Sequence, residues 1–301
     1  MTISDYSYSY SHYYYYYYDK FTIPQKYCKL REWIDINKIC WDSLSSNYNA
    51  IGLLEKNLDK KKINNNELSF NLNAINLLKK VPNRINWRNL SLNPNAIEIL
   101  KQNENKISWC KLPQNSNAID LLEKNLKKIR HFWDGLSENP NAIKILEKYP
   151  HNIEWYFLSS NPNAIELLKQ NPNEIHWDML SLNPNAIELL KQNLDNVNWE
   201  YLSKNENAIH LLKQNPHEIH WDMLSINANA IELLKQNLDE IDWDILSENL
   251  GAMELLEQNQ DKINWDLFSS NPAIFTYDYE IIKKEREQLN KEFTEYMYHP
   301  S

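Results

Sequence analysis

The chain has 301 residues, with 32 Lys+Arg against 41 Asp+Glu and a formal net charge of -9. Its 3 glycines (Gly52, Gly135, Gly251) stand too far apart for a phosphate cradle or a dinucleotide fingerprint, both of which need closely spaced glycine. Its 3 cysteines (Cys28, Cys40, Cys110) form no CxxC, which excludes a cysteine zinc knot and a disulfide framework, and no apolar run approaches the ~18 residues that cross a bilayer.

Residues 1–20 carry nine of the 18 Tyr and no apolar periodicity, which predicts a disordered Tyr/Ser-rich tail without the aliphatic core of a signal peptide. Residues 21–40, with Trp33, Ile34, Ile36 and Ile39, read as an atypical N-terminal cap. From there to residue 275 the sequence repeats itself. Trp133, Trp155, Trp177, Trp199, Trp221, Trp243 and Trp265 are spaced by 22, and Trp41, Trp87 and Trp109 belong to the same series. An Ala-Ile pair marks the units, with Ala252-Met253 in one, and its spacing widens to 24 only at 50–74 and 118–142. A repeat of this length defines a stacked array, since one unit cannot bury its apolar face alone. Residues 276–301 carry Ile281, Ile282, Leu289, Phe293 and Met297 near one face of a longer amphipathic helix, expected to cap the far end.

One unit shows the physics. Asn161 is placed to cap a helix whose first position is Pro162, where the missing N–H costs nothing. Ala164, Ile165, Leu167 and Leu168 form an apolar stripe at helical spacing, predicting an α-helix of about nine residues. Asn171 suits the left-handed position beyond it, and Pro172 stops continuation. The following segment, Ile175 to Ser181, has room for a short α- or 3-10 helix started by the residue before Trp177, with Asp178 at the favourable end of the helix dipole. Neither half alternates with period 2, so strands are not expected. The predicted fold is an all-α, right-handed solenoid of about eleven two-helix units, on the order of 100 Å long at ~8–10 Å per layer.

Units such as Trp-Asp-Met-Leu-Ser-Leu-Asn-Pro-Asn-Ala-Ile-Glu-Leu-Leu at 177–190 resemble the short asparagine-rich repeats of uncharacterised proteins of giant, mimivirus-like DNA viruses. The resemblance covers about 80% of the chain. It implies a virus-encoded protein of the host cytoplasm and carries no activity or site residue. The alternation of one full helix with one short helix is similar, more distantly, to the leucine-rich-repeat variant family, which lacks this Trp.

The repeated residues have bland readings beside their chemical ones. The Trp series could stack nucleotide bases or sugars, but a residue present in every layer is what packing requires, so these rings are expected between layers. Glu166, Glu188 and Glu232 stand three residues before Lys169, Lys191 and Lys235, the spacing of surface ion pairs. Two Asn series recur, one at 161-type positions and one at 163-type positions. The first is read as capping, the second as hydrogen-bonding to the backbone of an adjacent layer. His217 and His220, with His176 two units earlier, have no third ligand beside them, so capping and exposure explain them better than a metal. No catalytic residue, cofactor or metal is expected.

The two insertions are the irregular places: Lys60, Lys61 and Lys62 in one, and Lys127, Lys128, Arg130 and His131 in the other. They are the candidate contacts for an anionic partner. The function expected is a non-catalytic scaffold for protein–protein contact, with no membrane partner. The alternative is a nucleic-acid-binding helical array, against which a net charge of -9 argues. Outward positions that vary between units include Met179, Tyr201, Met223 and Ile245, and Leu182, Lys204, Ile226 and Glu248.

Overall fold

A computed structural model describes residues 21–59 and 62–298; the predicted tail at 1–20, together with Lys60 and Lys61, lies outside them. The fold is an all-α repeat solenoid. A typical unit holds three short helical pieces: a Trp helix (Trp177–Leu182), an Ala-Ile helix (Ile187–Lys191) and a 3-10 turn (Leu194–Asn196). The Ala-Ile helix proper spans five or six residues rather than nine. Its predicted first turn is a separate element, because Asn161 Oδ1 accepts from Asn163 N–H and Asn161 O from Ala164 N–H, leaving Ala164 at φ -91°, ψ 0° before Ile165 starts the α-helix. Asn171 does not enter the left-handed region. It sits at φ -130°, and its side chain turns back to donate to Leu167 O at 2.8 Å, satisfying an end carbonyl without αL geometry.

Ala164, Leu168, Leu180, Ser181 and Asn183 are fully buried and recur as a set in successive units. Two polar ladders run through this core. Ser181 Oγ donates to Trp177 O at 2.8 Å and accepts from Asn198 N–H of the next unit at 3.0 Å. Asn183 Nδ2 donates to two carbonyls of the preceding unit, Ser159 O at 3.1 Å and Asn161 O at 2.7 Å. The 161-type asparagines therefore do more than cap. The 163-type residues bond between layers as expected, Asn185 Nδ2 reaching Pro162 O at 2.9 Å, although Gly251 and Ala273 leave that outer ladder incomplete.

The ladders do not end. Asn47, in the first unit, donates to Ser269 O at 3.1 Å and Asn271 O at 2.9 Å in the last. Cys40 N–H reaches Ser269 Oγ at 2.9 Å, and Asn49 Nδ2 reaches Pro272 O at 3.1 Å. These are the bonds that neighbouring units make elsewhere in the array, so the eleventh unit is followed by the first. The solenoid is closed into a ring. The ~100 Å expected as a length is instead a circumference, giving roughly 30 Å across at the helix axes. Successive Trp helices approach one another closely, whereas successive Ala-Ile helices stand farther apart. In a ring the spacing of equivalent points is proportional to radius, so the Trp helices lie on the inner side.

Closure changes what the two ends do. Strand β1 (Cys28–Leu30) pairs antiparallel with β2 (Phe275–Tyr277), Cys28 opposite Tyr277, and clasps the joint. Ile23, Ile34 and Ile39 are buried, and the Trp33 ring meets Phe268 at 5.7 Å. The helix Tyr279–Tyr298 buries none of its residues and touches the ring only near its start, where Glu285 accepts from Tyr27 OH at 2.9 Å and pairs with Lys26 at 2.5 Å. It does not cap the array, for there is no open end to cover.

Two measurements check this account. Small-angle scattering of residues 21–278 is expected to give a radius of gyration of roughly 20 Å, the value for a compact chain of this size. An open rod of the same units would give about 30 Å. Asn183→Ala is expected to cost about 2–3 kcal/mol in denaturant unfolding, because buried carbonyls lose their donor; Asn185→Ala, with one exposed bond, is expected to cost less than about 1 kcal/mol.

Candidate functional site

The Trp side chains sit at the start of each inner helix. Trp133 is buried at 9% exposure, with Tyr149 edge-on at 5.8 Å. Trp155, Trp177, Trp199, Trp221, Trp243 and Trp265 are half-buried, packed against the core with part of the ring reaching solvent. The interior wedge expected from the repeat is filled by Ala, Leu, Ser and Asn instead. Between layers the closest contacts are hydrogen bonds from side chain to neighbouring backbone, and apart from Trp133 the indoles stand at the edge of that core.

Cations cover several of these rings. Lys106 Nζ lies 4.6 Å from the Trp87 centroid, Lys262 4.2 Å from Trp243, Lys38 5.0 Å from Trp265 and Lys128 4.2 Å from Trp109. Lys106 and Lys262 are the last residues of the 3-10 turns Glu104–Lys106 and Gln260–Lys262, so in these units the turn lays its final side chain back on the Trp that opens the same unit, 19 residues earlier. A cation over an indole face is attracted by the ring quadrupole.

The basic cluster falls in the longer 3-10 turn Leu126–Ile129 and the residues after it. Lys127, Lys128, Arg130 and His131 are all exposed, but Lys128 is engaged with Trp109. This unit also breaks the Ser ladder. Pro113 stands where its neighbours have Ser, and Phe132 N–H turns to Ile129 O at 2.9 Å. Lys62 is exposed.

The other sequence candidates are structural. Glu166–Lys169 and Glu188–Lys191 pair at 2.8 and 2.7 Å on the outer surface. His176 and His220 precede Trp helices but accept no capping hydrogen bond, whereas Asn198 and Asp242 at equivalent positions accept from Tyr201 N–H and Ile245 N–H. A short carboxamide or carboxylate reaches the first-turn N–H groups that imidazole does not. Among the described residues no three His, Cys, Asp or Glu are grouped to hold a metal ion. Of the outward variable positions, Met223 is buried and Met179, Tyr201, Ile245, Leu182, Lys204, Ile226 and Glu248 are half-buried.

Two features escaped the sequence reading. A cavity of about 410 Å³ opens at the joint between Gln25, Leu30, Gly52 and Phe275. Cys28 lines it, its thiol pushed up to about 12 by burial and donating to Asn49 O at 3.3 Å, so it is a protonated, unreactive thiol. The second is Glu138, 8% exposed, whose carboxyl is raised to about 7 by burial against a single hydrogen bond from Gln114 at 3.2 Å. Asp134 adds to the rise. Glu138 follows Ser137, a position that holds Leu182 or Ile226 in other units, and no composition signal marks it as buried.

Comparison of the chain with family models, curated proteins and solved structures finds no match. The fold and the ring of half-buried indoles thus define its class by geometry alone: a closed α-solenoid of eleven units. No helix among the described residues is long and apolar enough to cross a membrane.

Glu138 gives a pH test. Its folded pKa lies above the unfolded value, so the folded state holds the extra proton between about pH 4.5 and 7, and stability falls as pH rises through that window. Glu138→Gln is expected to raise unfolding free energy at pH 8 by up to about 3 kcal/mol, with the gain vanishing by about pH 4. Thermal melts across that range read it directly.

Proposed function

We propose that the ring is a non-catalytic scaffold for protein–protein contact, encoded by a giant DNA virus and acting in the host cytoplasm. The observation that carries this reading is how the repeated polar residues are used. Each 161-type Asn and 181-type Ser is buried and hydrogen-bonded to the neighbouring unit, so these residues serve the ring rather than chemistry. What differs between units lies on the surface, held at one fixed angular spacing. Such a frame presents many contact points without reorganisation on binding, which lowers the ordering cost of association.

The nucleic-acid reading rests on the exposed cluster at 127–131. It is opposed by the net charge of -9, since phosphate neutralisation supplies most such affinity. Crosslinked purification of the full chain from infected cells is expected to recover a protein in stoichiometric amount that survives nuclease treatment. Recovery of nucleic acid alone, or of nothing above background, overturns the proposal.

A further inference from the structure

The ring is electrostatically lopsided. Residues 155–242, four consecutive units, hold 13 acidic and 5 basic side chains, a balance of -8 out of the whole chain's -9. All the rest of the chain together carries only -1. In this same arc the pattern of cations on indoles stops. The turns Pro172–Glu174, Leu194–Asn196, Pro216–Glu218 and Leu238–Glu240 end in Glu174, Asn196, Glu218 and Glu240, at the positions that Lys106 and Lys262 hold elsewhere. All four are exposed, and the three carboxylates form no ion pair among the described residues. The rings at the same 19-residue offset are Trp155, Trp177, Trp199 and Trp221, each half-buried and, among the described residues, with no lysine laid on it. Lys204 is the arc's inward basic side chain, held near the Tyr201 ring at 5.6 Å with Glu200 and Asp222 close by.

Resting on the scaffold reading, we infer that this arc binds an extended, Lys- or Arg-rich segment of a partner protein, whose cations take the places on Trp155, Trp177, Trp199 and Trp221 that the chain's own lysines take elsewhere in the ring. The ring itself supplies the template. Lys262 on Trp243 shows that an ammonium fits this position at 4.2 Å, and the arc replaces that ammonium with carboxylates that attract one from outside. The spacing also matches. Layers repeat at ~8–10 Å, and an extended chain in the polyproline II conformation, with three residues per turn at ~3.1 Å each, returns a side chain to the same face about every 9 Å.

The probe is a fluorescein-labelled peptide of four Lys-Ser-Ser repeats, titrated with the full chain by anisotropy at 100 mM NaCl. Saturable binding is expected, with no binding of the Glu-Ser-Ser counterpart. The variant Glu174→Lys/Glu218→Lys/Glu240→Lys gives the arc the lid its other units already tolerate, and is expected to weaken binding at least tenfold. The control Glu166→Lys/Glu188→Lys/Glu232→Lys makes the same charge change on the outer helices of the same arc and is expected to cost less than threefold. Trp199→Leu, with its fold verified by circular dichroism, is expected to weaken binding at least threefold. Equal losses in the two triple variants, or unchanged affinity in Trp199→Leu, reduce the effect to bulk charge and overturn the site. So does the absence of peptide binding by the folded wild-type ring; if purification still recovers a protein partner in that case, the scaffold reading stands and only this surface falls.

Discussion

One interaction holds the rest of the molecule in place: a buried asparagine carboxamide that donates both of its protons across a layer boundary. Asn183 Nδ2 binds Ser159 O and Asn161 O, while its own Oδ1 accepts from Asn185 N–H. Three polar groups that would otherwise be stranded in the core are satisfied by one side chain. Leaving any of them unmade costs about 1–3 kcal/mol, so each unit fixes both the distance and the rotation of its neighbour. Aspartate has no donor for the carbonyls, and glutamine is a methylene too long for the tight turn. The abundance of Asn in this sequence is thus largely structural.

A fixed rotation repeated eleven times determines the global shape. Open solenoids bury the outer face of their terminal units under special caps; here the first and last units cover each other, and Asn47 finds in Ser269 and Asn271 the same two carbonyls that Asn183 finds in Ser159 and Asn161. The β1–β2 clasp adds a non-repeating lock at the joint, in which Arg31 Nε also donates to Ala273 O at 2.8 Å. The clasp is where the chain departs most from its repeat, and the only described strands are there. The helix Tyr279–Tyr298 is left to project, its apolar residues Leu289 and Phe293 exposed.

With the core uniform, variation is confined to positions the ladders do not use. The last residue of each 3-10 turn is one of these. It switches from lysine to carboxylate or carboxamide between one arc and the next without altering the backbone around it, as the equivalent turns Gln260–Lys262 and Leu238–Glu240 show. The same half-buried indole is closed by its own chain in one arc and left accessible in another. A repeat scaffold can thereby carry a localised surface while keeping one architecture.

By itself the sequence determined the unit: its length, its helices, the buried Ala and Leu positions, the layer-bridging role of Asn163 and its equivalents, and the Glu166–Lys169 pairs. All of these follow from contacts within one repeat or between immediate neighbours, which a periodic pattern records directly. The tertiary structure decided three things. It closed the ring, because closure depends on a few degrees of rotation per unit, accumulated over eleven units, and no single residue encodes that angle. It moved the Trp rings from the interior to the edge of the core, because how much of an indole is covered depends on the radius at which its helix runs. And it set Glu174 and Lys262 in one equivalent place relative to Trp155 and Trp243, each 19 residues after its indole, a juxtaposition made only when the unit folds its turn back on its Trp helix.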